Sequence, residues 1–116
     1  MNILMIVNGS AYGSELPFNG LRLATALGKR EGVELRVFLM GDAVVSAIAG
    51  QQVPDGYYHL DRMVESVARR GGQVGCCGTC MDARAIAGDQ LADGAFRSTM
   101  EQLADWTLEA DKVVTF

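Results

Sequence analysis

The run Ile3-Leu4-Met5-Ile6-Val7 is apolar at every position and stops abruptly at Asn8-Gly9-Ser10. A strand with one solvated face alternates polar and apolar residues. An unbroken apolar run of this length instead fits a strand buried on both faces, as in a parallel sheet. Parallel strands cannot be joined by tight hairpins and need crossover connections, usually helices. That requirement dictates what the rest of the chain must supply.

The chain supplies it in alternation. Gly9 to Ser14 reads as a loop, and Phe18, Leu21, Ala24, Thr25 and Leu27 then recur at helical spacing, with Gly28 and Gly32 bracketing the exit. Val33 to Met40 reads as a second strand with its turn at Gly41-Asp42, and Ala43 to Gly50 as a short helix. Gln51 to Tyr58, which carries Pro54 and Gly56, reads as a loop. Leu60, Met63, Val64, Val67 and Ala68 form a helical stripe closed by Gly71-Gly72, and Gln73 to Cys76 is a short third strand. Met100, Leu103, Ala104, Thr107 and Leu108 give the stripe of a last helix, before a closing strand over Lys112 to Phe116. Between Ala85 and Gly94 no period stands out, so a fourth strand there is very short or absent.

The expected fold class is therefore α/β: a three-layer sandwich with a central parallel sheet of four to five strands flanked by helices. At 116 residues, with 49% hydrophobic and 21% charged, the chain suits a single domain over 1–116. A formal net charge of -4 without a Lys/Arg cluster in the sequence argues against nucleic-acid binding. The opening MNILMIVNGS lacks a cationic flank and is too short for a signal-peptide core or a membrane span, and no other segment is apolar for long enough. The expected location is the cytoplasm, without membrane attachment, where thiols stay reduced.

All three cysteines, Cys76, Cys77 and Cys80, fall within VGCCGTCMDAR at the end of the third strand. Thr79 followed by Asp82 is a capping-box pattern that starts a helix near Gly78 or Thr79. Thiols in a first helical turn see unpaired N–H groups that favour the thiolate, which makes Cys77 and Cys80 candidate reactive groups and turns Cys76 back toward the core. Gly78 permits close backbone approach, and Arg84 adds positive charge that Asp82 opposes. Three readings compete with a reactive thiol pair. Free cysteine often packs as a small hydrophobe. A zinc site would need His59 or an aspartate as a further ligand, with no second CxxC available. A thioredoxin-like dithiol would lack its aromatic residue before Cys77 and its facing proline. Neither a metal nor another cofactor is expected. A strand order of 2-1-3 would set the first loop, with Asn8, Gly9, Tyr12 and Gly13, beside the cysteines at a topological switch point.

These residues together resemble the DsrE/DsrF-like sulfur-relay family, with its TusD-type and YchN-like members. The resemblance runs from MNILMIVN through PFNGLRLATAL and VELRVFLMGDAV to LEADKVVTF, with CGTCMDARAI as its central signature. It implies that Cys77 is the sulfur-accepting cysteine, Cys80 the second cysteine of YchN-like members, and Arg84 the signature arginine. Ala85 stands where the family usually has glycine, and alanine is strained in a left-handed helix exit. The implied function is accepting sulfur as a cysteine persulfide and passing it to a partner thiol, with donor and acceptor proteins as partners. The alternative is a non-catalytic oligomeric module whose cysteines bind metal or act as a simple redox dithiol. The resemblance also implies a homo-oligomer, trimer or hexamer. Trp106 at the flank of its stripe, and Tyr57 and Tyr58 in a loop, are the expected interface aromatics.

Overall fold

A computed structural model describes all residues from Met1 to Phe116. The elements are β1 (Asn2–Val7), α1 (Leu16–Leu27), β2 (Glu34–Leu39), α2 (Leu60–Arg69), β3 (Gln73–Cys77), α3 (Gly78–Ala83), β4 (Ala95–Ser98), α4 (Met100–Glu109) and β5 (Lys112–Thr115). Short 3-10 helices cover Gly41–Ala47 and Gly88–Gln90. The five strands form one sheet in the order β4-β3-β2-β1-β5, and every neighbouring pair is parallel. The fourth strand exists, and it is short: four residues paired with β3 from Val74↔Ala95 to Cys77↔Ser98.

Face assignment follows from the pleat. A Cβ on Gly20 of α1 would lie 3.4 Å from Val7 Cγ2, so the Val7 side of β1 lies under α1. Ile6 and Phe38 are register partners on the opposite side, where the Phe38 ring meets Trp106 of α4 edge to face at 6.2 Å. Helices α1 and α2 thus cover one face and α4 the other, which gives the three layers. Leu4, Met5, Val37 and Phe38 in the central strands are completely buried. Each such side chain contributes about 1.5–3 kcal/mol of burial, which is why the central runs read as continuous hydrophobic segments.

The expected order 2-1-3 is not what forms. The chain steps in one direction through β1, β2, β3 and β4, with the connections on the α1/α2 face, and then returns under α4 to place β5 beside β1. With crossovers of one hand, each direction of travel commits the connection to one face of the sheet. Strand β2 therefore lies between β1 and β3, and the first loop sits about two strand spacings, roughly 10 Å, from the cysteine strand.

Helix α4 also differs in phase from its apolar stripe. Leu103 and Trp106 are its buried residues, whereas Met100 is 58% and Leu108 86% exposed. Trp106 is only 4% exposed, so it anchors its own core and is not a free interface aromatic. The physical reason is Gly75: a Cβ there would be 3.3 Å from the Trp106 ring and 3.4 Å from Phe38. The missing side chain leaves room for an indole, which also packs edge to face on Phe96 and beneath Arg36.

Helix α3 ends in a Schellman turn. Ile86 N–H donates to the Met81 carbonyl at 2.9 Å and Ala85 N–H to that of Asp82 at 3.2 Å, while Met81 and Ile86 are both buried. This geometry forces Ala85 to φ 54, the left-handed conformation that favours glycine. Replacing the exposed Ala85 with glycine should stabilise the protein by about 1 kcal/mol, read as a rise in thermal midpoint. A lower midpoint in Ala85→Gly would show that the turn carries no strain.

Candidate functional site

Strand β3 runs into α3 with no loop between them: Cys77 is the last strand residue and also the N-cap of the helix. The pleat turns Cys76 and Cys77 to opposite faces. Cys76 is fully buried, and burial pushes its thiol from the ordinary 9.0 up to about 12. Cys77 points the other way, to the floor of a cleft of about 480 Å³ bordered by Met40, Cys80, Arg97, Thr99 and Glu101. It remains 8% exposed. The Cys77 Sγ accepts a hydrogen bond from the Cys80 backbone N–H at 3.3 Å, and the Cys80 thiol lies within hydrogen-bonding reach. The expected cap at Thr79 is thus displaced: the sulfur of Cys77 caps the helix, and Thr79 lines the exposed rim.

Burial raises the Cys77 pKa, and the hydrogen bond with the Cys80 side chain adds to this, while the Cys80 and Thr79 backbone N–H groups pull it down. The balance is upward. This corrects the expectation of a thiol activated by its helix start, because desolvation outweighs the peptide N–H groups.

Arg84 does not face the thiols as a free cation. Its Nε and a terminal nitrogen donate to Asp42 Oδ1 at 2.9 and 2.7 Å, and its other terminal nitrogen donates to the Cys80 carbonyl at 3.0 Å. Asp42 also accepts from Ser10 Oγ at 3.2 Å, and the hydrogen bond from Arg84 holds its carboxyl below the usual range. Arg84 therefore braces α3 against the turn after β2. The cation that does stand beside Cys77 is Arg97 of β4. Its guanidinium donates two bonds to Asp82, at 2.7 and 2.8 Å, and lies across Gly78. A Cβ on Gly78 would sit 2.9 Å from Arg97 Cζ, so only glycine admits this approach.

The first-loop residues are elsewhere. The Asn8 backbone N–H bonds the Phe116 carbonyl at 2.8 Å, on the β5 side of β1. Gly9 is needed for packing, since a Cβ there would lie 2.5 Å from Leu16 Cβ, and Gly13 approaches Ser10 Cβ similarly, at 3.0 Å. Tyr12 hydroxyl bonds Gln51 and accepts from Leu60 N–H at 3.1 Å, and its ring stacks near Tyr58. His59 opens α2, and no three His, Cys, Asp or Glu side chains gather in a geometry that would hold a metal ion.

The cleft nevertheless lies where ligand sites of open parallel sheets are found. Connections leaving β3 and β4 go to opposite faces, so the switch point falls between those two carboxyl ends. Arg97, Ser98, Thr99 and Glu101 are not among the residues that stand out in the sequence. No local pattern announces them: Phe96 is followed by polar Arg97 and Ser98, and their place at the site depends on β4 pairing with β3.

A parallel α/β sheet with a thiol at a strand-to-helix junction, beside the carboxyl-end switch point, defines a small class of cysteine-bearing proteins. Within it, a model of the DsrE/DsrF-like family matches residues 1–116, and the chain belongs to that family. It is 45% identical over 115 residues to Protein YchN of Escherichia coli (strain K12), covering 98% of this chain and 97% of the relative. It is 33% identical to Uncharacterized protein MK0008 of Methanopyrus kandleri, covering 98% of this chain and 93% of that protein. The crystal structure of the ychN protein from E. coli shares the fold with a TM-score of 0.93 over 99% of this chain and 98% of that chain. A protein of unknown function from Methanobacterium thermoautotrophicum, MTH1491, shares the fold at 13% identity, with a TM-score of 0.76 over 99% of this chain and 98% of its own.

The thiol environments give a reactivity order. Alkylation of Cys77 by iodoacetamide should be slow at neutral pH and keep accelerating as pH rises through and beyond the ordinary thiol range. Cys76 should stay unmodified in the folded protein. Its deprotonation favours the unfolded chain, so its contribution to stability is complete below pH 9.0 and falls as pH climbs toward about 12. A Cys77 alkylation rate that plateaus below neutral pH would contradict a raised pKa.

Proposed function

We propose that the protein is a persulfide carrier that accepts sulfur on Cys77 and hands it to a partner thiol. The observation that carries this reading is the Cys77 sulfur at the floor of an open cleft, within reach of the Cys80 thiol and flanked by the Arg97 guanidinium. In the accepting step, Cys77 gives its proton to solvent and the thiolate attacks the outer sulfur of a donor persulfide. The donor S–S bond breaks, the donor leaves as a thiolate, and Cys77 becomes a persulfide. In the delivery step an acceptor thiolate attacks that terminal sulfur and Cys77 departs as a thiolate, so no net oxidation occurs. A persulfide is more acidic than its parent thiol, and Arg97 then stands beside the anion.

The contact with Cys80 supports a side path. Cys80 thiolate attacks the inner sulfur, hydrosulfide leaves, and a Cys77–Cys80 disulfide forms that an external dithiol reduces. A simple redox dithiol, the second reading, would use the same pair without a sulfur adduct. Metal binding receives less support, because Cys76 faces the opposite side of the sheet.

Incubation with a persulfide donor should add the mass of single sulfur atoms to the peptide containing Cys77. Cys77→Ser should abolish the adduct, Cys76→Ala should retain it, and Cys80→Ser should retain it for longer. An adduct unchanged in the Cys77→Ser protein would sink the assignment. A protein that yields only the Cys77–Cys80 disulfide under every donor would support the redox reading instead.

Partners follow from the same reading: donor and acceptor proteins that present a thiol, and further copies of this chain. Met100, Ala104 and Leu108 form an exposed apolar stripe along the outer side of α4, and Met100 also borders the Cys77 cleft. A second copy is the proposed occupant of that stripe, within a trimer or hexamer. Light scattering should find the oligomer, and Leu108→Glu should shift it toward smaller species. A wild-type monomer at micromolar concentration would refute self-association.

A further inference from the structure

On the opposite side of the sheet, α1 and α2 flank a groove of about 490 Å³ that shares no residue with the Cys77 cleft. Arg22 borders it from α1, Lys29 from the turn that follows α1, and Arg62 from α2, with Tyr58 and His59 at one end. No aspartate, glutamate or asparagine lines it. The chain has fewer basic than acidic residues, 10 against 14, so gathering three of those cations in one groove is a segregation. None of the three is neutralised: the ion pairs of the molecule are Arg36–Glu109, Arg84–Asp42 and Arg97–Asp82.

The surroundings favour an anion further. Tyr58 stacks between Phe18, at 3.9 Å, and Tyr12, at 5.8 Å, so both ring faces are occupied and its electropositive edge is what remains for the groove. Arg22 is held over the Phe18 ring at 5.5 Å and bonded to Asn19 Oδ1 at 3.3 Å, which fixes its guanidinium before any ligand arrives. His59 leaves Nδ1 buried with no hydrogen-bond partner. Ala26 and Met63 supply an apolar floor between the charges.

We infer that this groove binds a small phosphorylated molecule: a phosphate monoester whose dianionic head pairs with Arg22, Lys29 and Arg62 and whose organic body rests on the apolar floor. Guanidinium groups match phosphate geometry with paired donors, and Lys29 adds a point charge. The cations come from α1, the turn after it and α2, segments that lie about forty residues apart in sequence, so no basic run announces the site.

The test uses the intact 15N-labelled protein, titrated at constant ionic strength with phenyl phosphate and with inorganic phosphate. Amide shifts should be confined to the facing residues of α1 and α2 and the Tyr58-His59 segment. Phenyl phosphate should bind several-fold more tightly than inorganic phosphate, and both should weaken with added salt. Lys29→Gln and Arg62→Gln should each reduce affinity by about threefold to tenfold, and Lys112→Gln on β5 should leave it unchanged. The absence of saturable shifts in the groove would overturn the inference. So would an equal loss of affinity in Lys112→Gln, or equal binding of the two probes. Thiol modification at Cys77 is scored in the same samples, and its course is independent of these outcomes.

Discussion

The hand of a parallel crossover is the constraint from which this architecture follows. Each strand–helix–strand step in a twisted sheet turns the same way, so direction of travel decides which face receives the helix. The chain travels one way across four strands, which sends α1 and α2 to one face, and reverses once, which sends α4 to the other. One reversal makes one switch point, between the carboxyl ends of β3 and β4. The strand that delivers the cysteines is one of its two walls. The other is the four-residue strand that delivers Arg97.

The single helix on the far face then has to cover five strands with ten residues, and the packing shows how. Trp106 reaches across to Phe38 and Phe96 because Gly75 leaves a hollow beneath it. Choosing the indole as the core contact rotates the helix about its axis, and the side bearing Leu108 turns outward. Apolar periodicity alone favours a stripe of Met100, Leu103, Ala104, Thr107 and Leu108, of which only Leu103 is buried. The volume available over Gly75, a property of the neighbouring strand, settles the phase. The same sheet was legible elsewhere because its central strands are buried on both faces by backbone pairing and helices together, which leaves an unbroken apolar run in the sequence.

Legibility of the site divides along the same line. Cys77, Gly78 and Cys80 fall within four consecutive residues, and their meeting at a strand end is a local event, so the CGTC segment announces it. Cys76 facing inward followed from the alternation of a strand. Arg97 could be found only by knowing that β4 pairs with β3, a contact spanning twenty residues of weakly patterned chain. Asn8, Gly9, Tyr12 and Gly13 were assigned to the wrong neighbourhood for the complementary reason, since strand order is a long-range property that a run of elements leaves open. Arg84 stands out in the sequence as a cation near the thiols, and the structure spends its charge on Asp42 and the Cys80 carbonyl.

Burial of the Cys77 thiol bears on how a sulfur carrier can work. An exposed, strongly acidic cysteine would be ionised at rest and open to oxidation, whereas desolvation keeps this one protonated until conditions or a partner favour the thiolate. The penalty falls on the charged form, and it is the charged form that reacts. A high-pKa thiolate is the better nucleophile once formed, so slow activation is exchanged for strong attack. In the proposed transfer the anion would sit one sulfur further from the β3 backbone, nearer the cleft. Arg97 is already aligned there by both oxygens of Asp82, and Gly78 holds the door open for it by having no side chain. On the proposed function, the resting thiol and a persulfide on it would meet different environments: low dielectric for the first, the guanidinium of Arg97 for the second. A strand that passes directly into a helix, with its last residue as the cap, is the shortest way to hold one sulfur between those two surroundings.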